Sequence, residues 1–429
     1  MVTGMREMKD SGIDWVGKIP KDWRVLRNKY NFDLSKNIVG AKWAETQLLS
    51  LTKNGVKAIT PEEQSGKVPT SFATYQLVGK NDIVMCLFDL DVSAVFSGIS
   101  CLDGMISPAY KCFKCKSHLL PGYADYYFRT VFVDRKYKRY SKNVRYSLGT
   151  DDFFALPMIV PCISDQYRIV AFLDAKCAEI DALSADIQSE IETLEAYKRS
   201  VITEAVTKGL DKNAPMKDSG ISWIGKVPQN WPIYPLKYTF DFVAGATPDS
   251  SKADLWDGDV LWITPADYKT KDVYVSGGAR NLSDLGFKSC STHLLPIGTI
   301  VVSKRAPIGS AAITTAPLCT NQGCLGLIQK DKLTNGKYYY YVLSIYDEVL
   351  NLFGSGTTFK EISASVFGTV KVVNPSVAEQ NAIVAYLDSK CAEIDSILAQ
   401  KQEQLAVLAD YKKSIIYEYV TGKKEVPVA

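Results

Sequence analysis

Few side chains in this chain are placed to do covalent chemistry. Only two of its 429 residues are histidine, His118 and His293, which limits imidazole acid–base catalysis and multi-histidine metal binding. Cys112-x-x-Cys115-x-x-His118, with Cys101 upstream, offers enough ligands for a Cys3His zinc centre. But Cys112 and Cys115 alternate with lysines in a strand-like stretch, and the later half of the chain sets only His293, Cys319 and Cys324 against them. They read as strand residues, and no metal site is expected. No Gly-x-x-x-x-Gly-Lys-Ser/Thr loop occurs, which excludes a P-loop ATP site. Asn374-Pro375-Ser376-Val377 is close to the Asn-Pro-Pro-Tyr of amino-methyltransferases but lacks the second proline and the aromatic. At a strand-to-helix junction it reads as a cap. The chain is expected to catalyse nothing by itself and to bind no cofactor of its own.

What remains is the chemistry of charge and of hydrogen-bond donors. Residues 135–145 hold six basic side chains, among them Lys138, Arg139, Lys142 and Arg145, with Tyr137 and Tyr140 interleaved and no carboxylate. A basic run usually covers a solvated face, but among the features below it fits phosphate contact. Lys304 and Arg305 stand in a turn closed by Pro307 and Gly309. Asn321 and Gln322, and Thr357, Thr358 and Lys360 within residues 354–360, add small donors suited to phosphate or base edges.

Two repeated frames position these residues. Met8-Lys9-Asp10-Ser11-Gly12-Ile13 recurs as Met216-Lys217-Asp218-Ser219-Gly220-Ile221, and Trp15 and Trp23 recur as Trp223 and Trp231, an offset of 208. Residues 166–181 and 380–395 agree at twelve of sixteen positions, at an offset of 214. That offset lays Tyr126-Tyr127 over Tyr340-Tyr341 and Phe153 over Phe367. The chain is a duplication. The stretches 25–120 and 233–334 share only a rhythm of short strands, with Ile83-Val84-Met85 equivalent to Ile300-Val301-Val302. A protein that reads two different targets with two copies of one module has this pattern. The four tryptophans are expected to be packing anchors.

Each repeat ends in a long helix. Leu173, Ile180, Ile187, Leu194 and Val201 recur every seven residues in a stretch without Pro or Gly, and Leu387, Ile394, Leu408 and Ile415 share that register, with Lys401 interrupting it once. Ser164 is the expected N-cap of the first helix. About 42 residues at ~1.5 Å each make a rod of roughly 60 Å. One such apolar stripe needs a partner, and its duplicate is the obvious one. An antiparallel coiled coil is expected, because a large module precedes each helix. Residues 164–209 carry a net charge of −4 and residues 376–425 a net −2, so the whole-chain +3 leaves +9 outside the helices.

On these residues the chain resembles, over essentially its whole length, the specificity subunit of type I restriction-modification systems. The paired Lys-Asp-Ser-Gly-Ile openings and the paired helices beginning at Gln166 and Gln380 carry the resemblance. So do Trp262-Ile263-Thr264-Pro265, Lys304 to Gly309, Asn321 to Cys324 and Gly354 to Thr358, which look like that family's target-recognition domain. In the first repeat, Leu48 to Thr52 and Ser107 to Tyr110 are similar in kind. The resemblance implies a DNA reader, not an enzyme. Each target-recognition domain would read one half of a split, asymmetric site, and the helices would fix the gap and dock two modification subunits. Those partners would bring S-adenosylmethionine and methylate adenine; added restriction subunits would use ATP and Mg. Leu87-Phe88-Asp89-Leu90-Asp91 stands where the second repeat has Lys304-Arg305, and an acidic loop cannot grip phosphate in the same way.

The expected fold is α+β: target-recognition domains at 1–163 and 210–375, and spacer helices at 164–209 and 376–425. Other readings are a coiled-coil scaffold without DNA recognition, or a stand-alone nuclease or methyltransferase with fused recognition modules. The latter lacks a spare segment to house its chemistry. No apolar run reaches the roughly 18 residues of a membrane helix, and no apolar leader opens the chain, so a cytoplasmic location is expected.

Overall fold

The repeated Lys-Asp-Ser-Gly-Ile motif is a turn specified by its side chains. The computed structural model describes residues 6–427 other than 54, 64–68, 94, 142–145, 269–272, 306, 332–333 and 355–359. Met8–Asp10 pairs antiparallel with Lys18–Pro20, and Met216–Asp218 with Lys226–Pro228. The Asp10 carboxylate accepts the Gly12 N–H at 2.9 Å, and the Ser11 hydroxyl accepts the Ile13 N–H at 3.1 Å. Asp218 and Ser219 hold Gly220 and Ile221 at the same 2.9 and 3.1 Å. Gly12 and Gly220 both have φ +69°, which a Cβ would strain.

The chain divides into two compact units, residues 1–188 with 402–429, and residues 189–401. The first contains an antiparallel sheet in the order Phe32–Ser35, Lys111–Cys115, Ile83–Met85, Ser97–Ile99. Strand alternation divides its side chains between two clusters. Ile83, Met85 and Phe113 join the aromatics of helix Pro121–Phe132, and Val84 and Cys112 join Leu49 and Leu51. The second unit has a sheet in the order Phe240–Ala244, Cys324–Gln329, Ile300–Ser303, Ala311–Thr314, Tyr274–Val275. Ile300 and Val302 cluster with helix Gly336–Ser344, while Val301 and Ala312 cluster with Ile263 and Leu318. Both units are therefore mixtures of α and β.

The long helices span Ile163–Lys208 and Val377–Val420. The first begins one residue earlier than its expected cap: Gln166 N–H already bonds Cys162 O at 3.0 Å, so Ser164 lies inside the first turn. Ser376 does cap the second. Its hydroxyl accepts the Glu379 N–H at 3.3 Å, and the Glu379 carboxylate accepts the Ser376 N–H at 3.0 Å, a capping box. Trp23 and Trp231, each 2% exposed, donate their indole N–H to Asp165 at 3.1 Å and to Glu379 at 2.9 Å. They fix the start of each helix to its own module. Trp223 differs, being 42% exposed.

A tyrosine helix ties each module to the far end of a long helix. Tyr123 donates to Val420 O at 2.9 Å and Tyr126 to Asp174 at 2.7 Å. Tyr338 and Tyr341 do the same to Val206 O at 3.1 Å and Asp388 at 2.7 Å. Tyr126 therefore corresponds to Tyr341, not to Tyr340 as a uniform offset predicts. The extra residue falls in the connection before helix Gly336–Ser344.

Of the eight seam residues, Leu173, Ile180, Ile187, Leu387, Ile394 and Ile415 are buried, and Leu194 and Leu408 half-buried. Within the first unit Lys412 donates to Asp181 at 2.6 Å. Within the second, Lys198 donates to Asp395 at 2.7 Å, and Lys401 pairs with Glu190. The lysine that breaks the apolar register thus has an ionic partner. In each unit an early residue of one helix meets a late residue of the other, which is antiparallel contact.

Candidate nucleic-acid interface

Sheet register decides which loops meet. In the second unit Ala244 pairs with Leu325 and Ser303 with Cys324. Strands Phe240–Ala244 and Ile300–Ser303 therefore end where Cys324–Gln329 begins. Strand Trp256–Ile263 ends there too, since Ile263 pairs with Thr320 and its carbonyl accepts the Asn321 N–H at 3.0 Å. Loops from four strands converge. The approach is close: a Cβ on Gly245 would lie 2.2 Å from Thr320 O. Lys304 N–H donates to Gly323 O at 2.9 Å, and Ile362 N–H to Lys304 O at 2.9 Å. These two bonds bring Gly323 and residues 360–362 to the same place.

The predicted residues divide by what they already contact. Asn321 Oδ1 accepts the Gly323 N–H at 2.9 Å, so its side-chain NH2 is the group left for a ligand. Thr247 donates to the exposed Gln322 side chain. Lys304 and Arg305 share one carboxylate: Lys304 Nζ lies 3.0 Å from Glu361 Oε1, and Arg305 Nε donates to Oε2 at 2.9 Å. Lys304 first, then Arg305, holds the Glu361 carboxyl below the usual range despite the opposing effect of partial burial. Lys360 is exposed. Glu361 is the residue that sequence reasoning missed; its one signal was an acid directly beside a predicted contact.

In the first unit the same end of the sheet is built differently. Cys112 pairs with Ser35 and Lys111 with Met85, so the loops after Ser35 and Met85 and before Lys111 share that end. Leu148 N–H donates to Leu87 O at 2.7 Å, as Ile362 does to Lys304. Arg135 donates to Leu90 O at 3.0 Å and Ser93 O at 2.8 Å, and Lys136 to Thr130 O and Val133 O, both at 3.1 Å. Those two cations hold the fold. Lys138 Nζ lies 4.1 Å from the Tyr146 ring centroid, and exposed Arg139 is 3.7 Å from Asp14. Arg135 and Lys138 thus sit beside the acidic loop that replaces Lys304-Arg305. Lys142, Arg145, Thr357 and Thr358 lie outside the described residues.

Burial pushes the Cys112 and Cys115 thiols up to about 12. Among the described residues no group of three or more His, Cys, Asp or Glu is placed to hold a metal ion. None of their helices is long and apolar enough to cross a membrane.

Residues 228–406 match a family model described as the type I restriction modification DNA specificity domain. The MjaIX specificity subunit of Methanocaldococcus jannaschii is 35% identical over 188 residues, covering 43% of this chain and 42% of that protein. The putative MjaX specificity subunit of the same organism is 23% identical, with 96% of each chain covered. The chain is thus similar in sequence to type I restriction-modification specificity subunits. A solved chain from work on complex assembly and conformational transition of the type I restriction-modification system superposes with a TM-score of 0.71 at 16% identity. It covers 95% of this chain and 99% of that one. That likeness is one of fold. The matched segment contains the loop cluster from Lys304 to Glu361 and the first part of the second long helix, but none of the first.

Proposed function

We propose that this chain is the sequence-reading DNA subunit of a type I restriction-modification complex and is not itself catalytic. The carrying observation is the chemistry at equivalent sheet ends. One unit gathers Lys304, Arg305, Asn321, Gln322 and Lys360; the other sets Lys138 beside an acidic loop. Like frames with unlike loops suit two half-sites of different sequence, with phosphate contacts giving position and loop donors giving base readout.

The long helices act as the spacer. Asp181–Lys412 and Asp395–Lys198 are the same ion pair repeated at the 214-residue offset, which supports an antiparallel coiled coil with an internal pseudo-two-fold. The recognition domains are then 1–163 and 210–375, and the spacers 164–209 and 376–425. The acidic outer faces of the helices dock two modification subunits. S-adenosylmethionine, and ATP and Mg where restriction subunits join, are used by those partners.

Reconstitution with the modification subunits and mapping of methylated adenines tests this reading. A split, asymmetric motif with a fixed gap is expected, and inserting a heptad after residue 187 should change the gap but not the half-sites. A contiguous motif, or a gap unaltered by the insertion, would overturn it.

A further inference from the structure

The two units solve one packing problem in different ways. In the first, the Arg6 guanidinium donates to Asp165 at 3.0 Å, bonds Asp22, and lies 5.6 Å from the centre of the Trp23 ring. A carboxylate at the helix start and a buried indole thus hold a cation supplied by the chain itself. The second unit repeats the frame. Lys21 N–H donates to Glu7 O, and Gln229 N–H to Pro215 O, both at 2.8 Å. Trp231 and Glu379 stand where Trp23 and Asp165 do. At the 208-residue offset, however, Arg6 becomes Ala214 and Asp22 becomes Asn230.

Beside Ala214 lies a pocket of about 620 Å³, lined by Trp231, Glu379, Ala214, Asn230 and Lys208 among others. Glu379 accepts from Trp231, Ser376 and the Asn230 side chain. Those hydrogen bonds outweigh the opposing effect of partial burial and hold it below the usual carboxylate range, so it is ionised at neutral pH. It has no basic side chain within ion-pair distance among the described residues, whereas Asp165 has two, Arg6 and Arg168. A charge-assisted contact is made in one unit and left open in the other.

We propose that the cavity at Trp231 and Glu379 receives an arginine side chain from a protein partner. Resting on the reading above, that partner is a modification subunit. The inserted guanidinium meets the Glu379 carboxylate and the face of the Trp231 ring, as Arg6 meets Asp165 and Trp23. Arginine fits better than lysine, because a planar fork can reach two acceptors at once, as Arg6 reaches the carboxylates of Asp22 and Asp165.

The test is Ala214→Arg in the full chain, which supplies the cation internally. The expected result is an unfolding midpoint raised by about 2–4 °C, with assembly onto the modification subunit weakened at least tenfold. Glu379→Gln, which keeps the cap and indole acceptor, should weaken assembly without raising the midpoint. The indole N–H resonance of Trp231 should shift with N-acetyl-arginine amide but not with its neutral citrulline analogue. Undiminished assembly of Ala214→Arg, or equal shifts with both probes, would overturn the proposal. If the unaltered chain fails to assemble while the arginine probe still binds, it is the modification-subunit reading that fails.

Discussion

Glu361 lies between Lys304 and Arg305, the two cations proposed to meet phosphate, so Glu361→Gln is an informative perturbation. The carboxylate bonds Lys304 at 3.0 Å and Arg305 at 2.9 Å, with side-chain exposures of 15%, 47% and 36% for Lys304, Arg305 and Glu361. Such partly exposed pairs contribute about 0–1 kcal/mol to stability, so the fold should survive. The formal charge of Lys304, Arg305, Lys360 and the residue at 361 rises by one. If the freed cation takes one more phosphate, the slope of log affinity against log salt steepens by about 0.9. Between about 50 and about 200 mM salt the variant should then lose about 3.5-fold more affinity than the unaltered chain. At the low-salt end it should bind DNA more tightly. Fluorescence anisotropy on duplex DNA across a salt series, with the modification subunits present, measures both quantities. A slope equal to or shallower than that of the unaltered protein, at an unchanged unfolding midpoint, would refute the placement of Lys304 and Arg305 at the phosphate backbone.

Other consequences can be measured separately. Gly245→Ala drives a Cβ against Thr320 O; denaturant unfolding should show a loss of about 1–3 kcal/mol, with DNA affinity falling alongside. Trp23→Phe removes the donor to Asp165 and should cost about 1.5–3 kcal/mol, as charged hydrogen bonds do. Burial alone would raise the Asp165 pKa, but the Arg6 and Trp23 donors hold it below its ordinary range. Its stabilising contribution is therefore complete above about pH 4, the unfolded carboxylate value, and is lost as pH falls through the lowered value. Asp165→Asn should flatten that part of a stability–pH curve. Cys112 and Cys324, pushed up to about 12 by burial, should react with an aromatic disulfide far more slowly than exposed Cys101 and Cys162; equal rates at pH 8 would contradict their burial.

The frame was legible because it is written in local rules. Asp-Ser-Gly-Ile encodes a turn through its own side chains, and a seven-residue apolar recurrence without Pro or Gly encodes a helix wherever it stands. Repetition of both marks the duplication in the sequence. Cys112 and Cys115 lie in strand Lys111–Cys115, as their alternation with lysine suggests. The one-residue slip that pairs Tyr126 with Tyr341 was not legible, because four consecutive tyrosines at 338–341 align almost as well in either register. Only the hydrogen bonds to Val206 O and Asp388 choose between them.

Which basic residues are free was decided by tertiary structure alone. Arg135 and Lys136 look like phosphate contacts in the sequence, yet carbonyl oxygens from neighbouring turns take their donors. Lys304 and Arg305 look unopposed until the segment ending at Ile362 returns beside them and brings Glu361. The distinction between Arg6 and Ala214 is likewise visible as two letters but has no meaning until Trp231 and Glu379 are seen around the pocket beside Ala214. Local patterns fix backbone conformation because their partners lie within a few residues. The state of a surface charge depends on groups brought to it from any distance along the chain, and no local spacing carries that information.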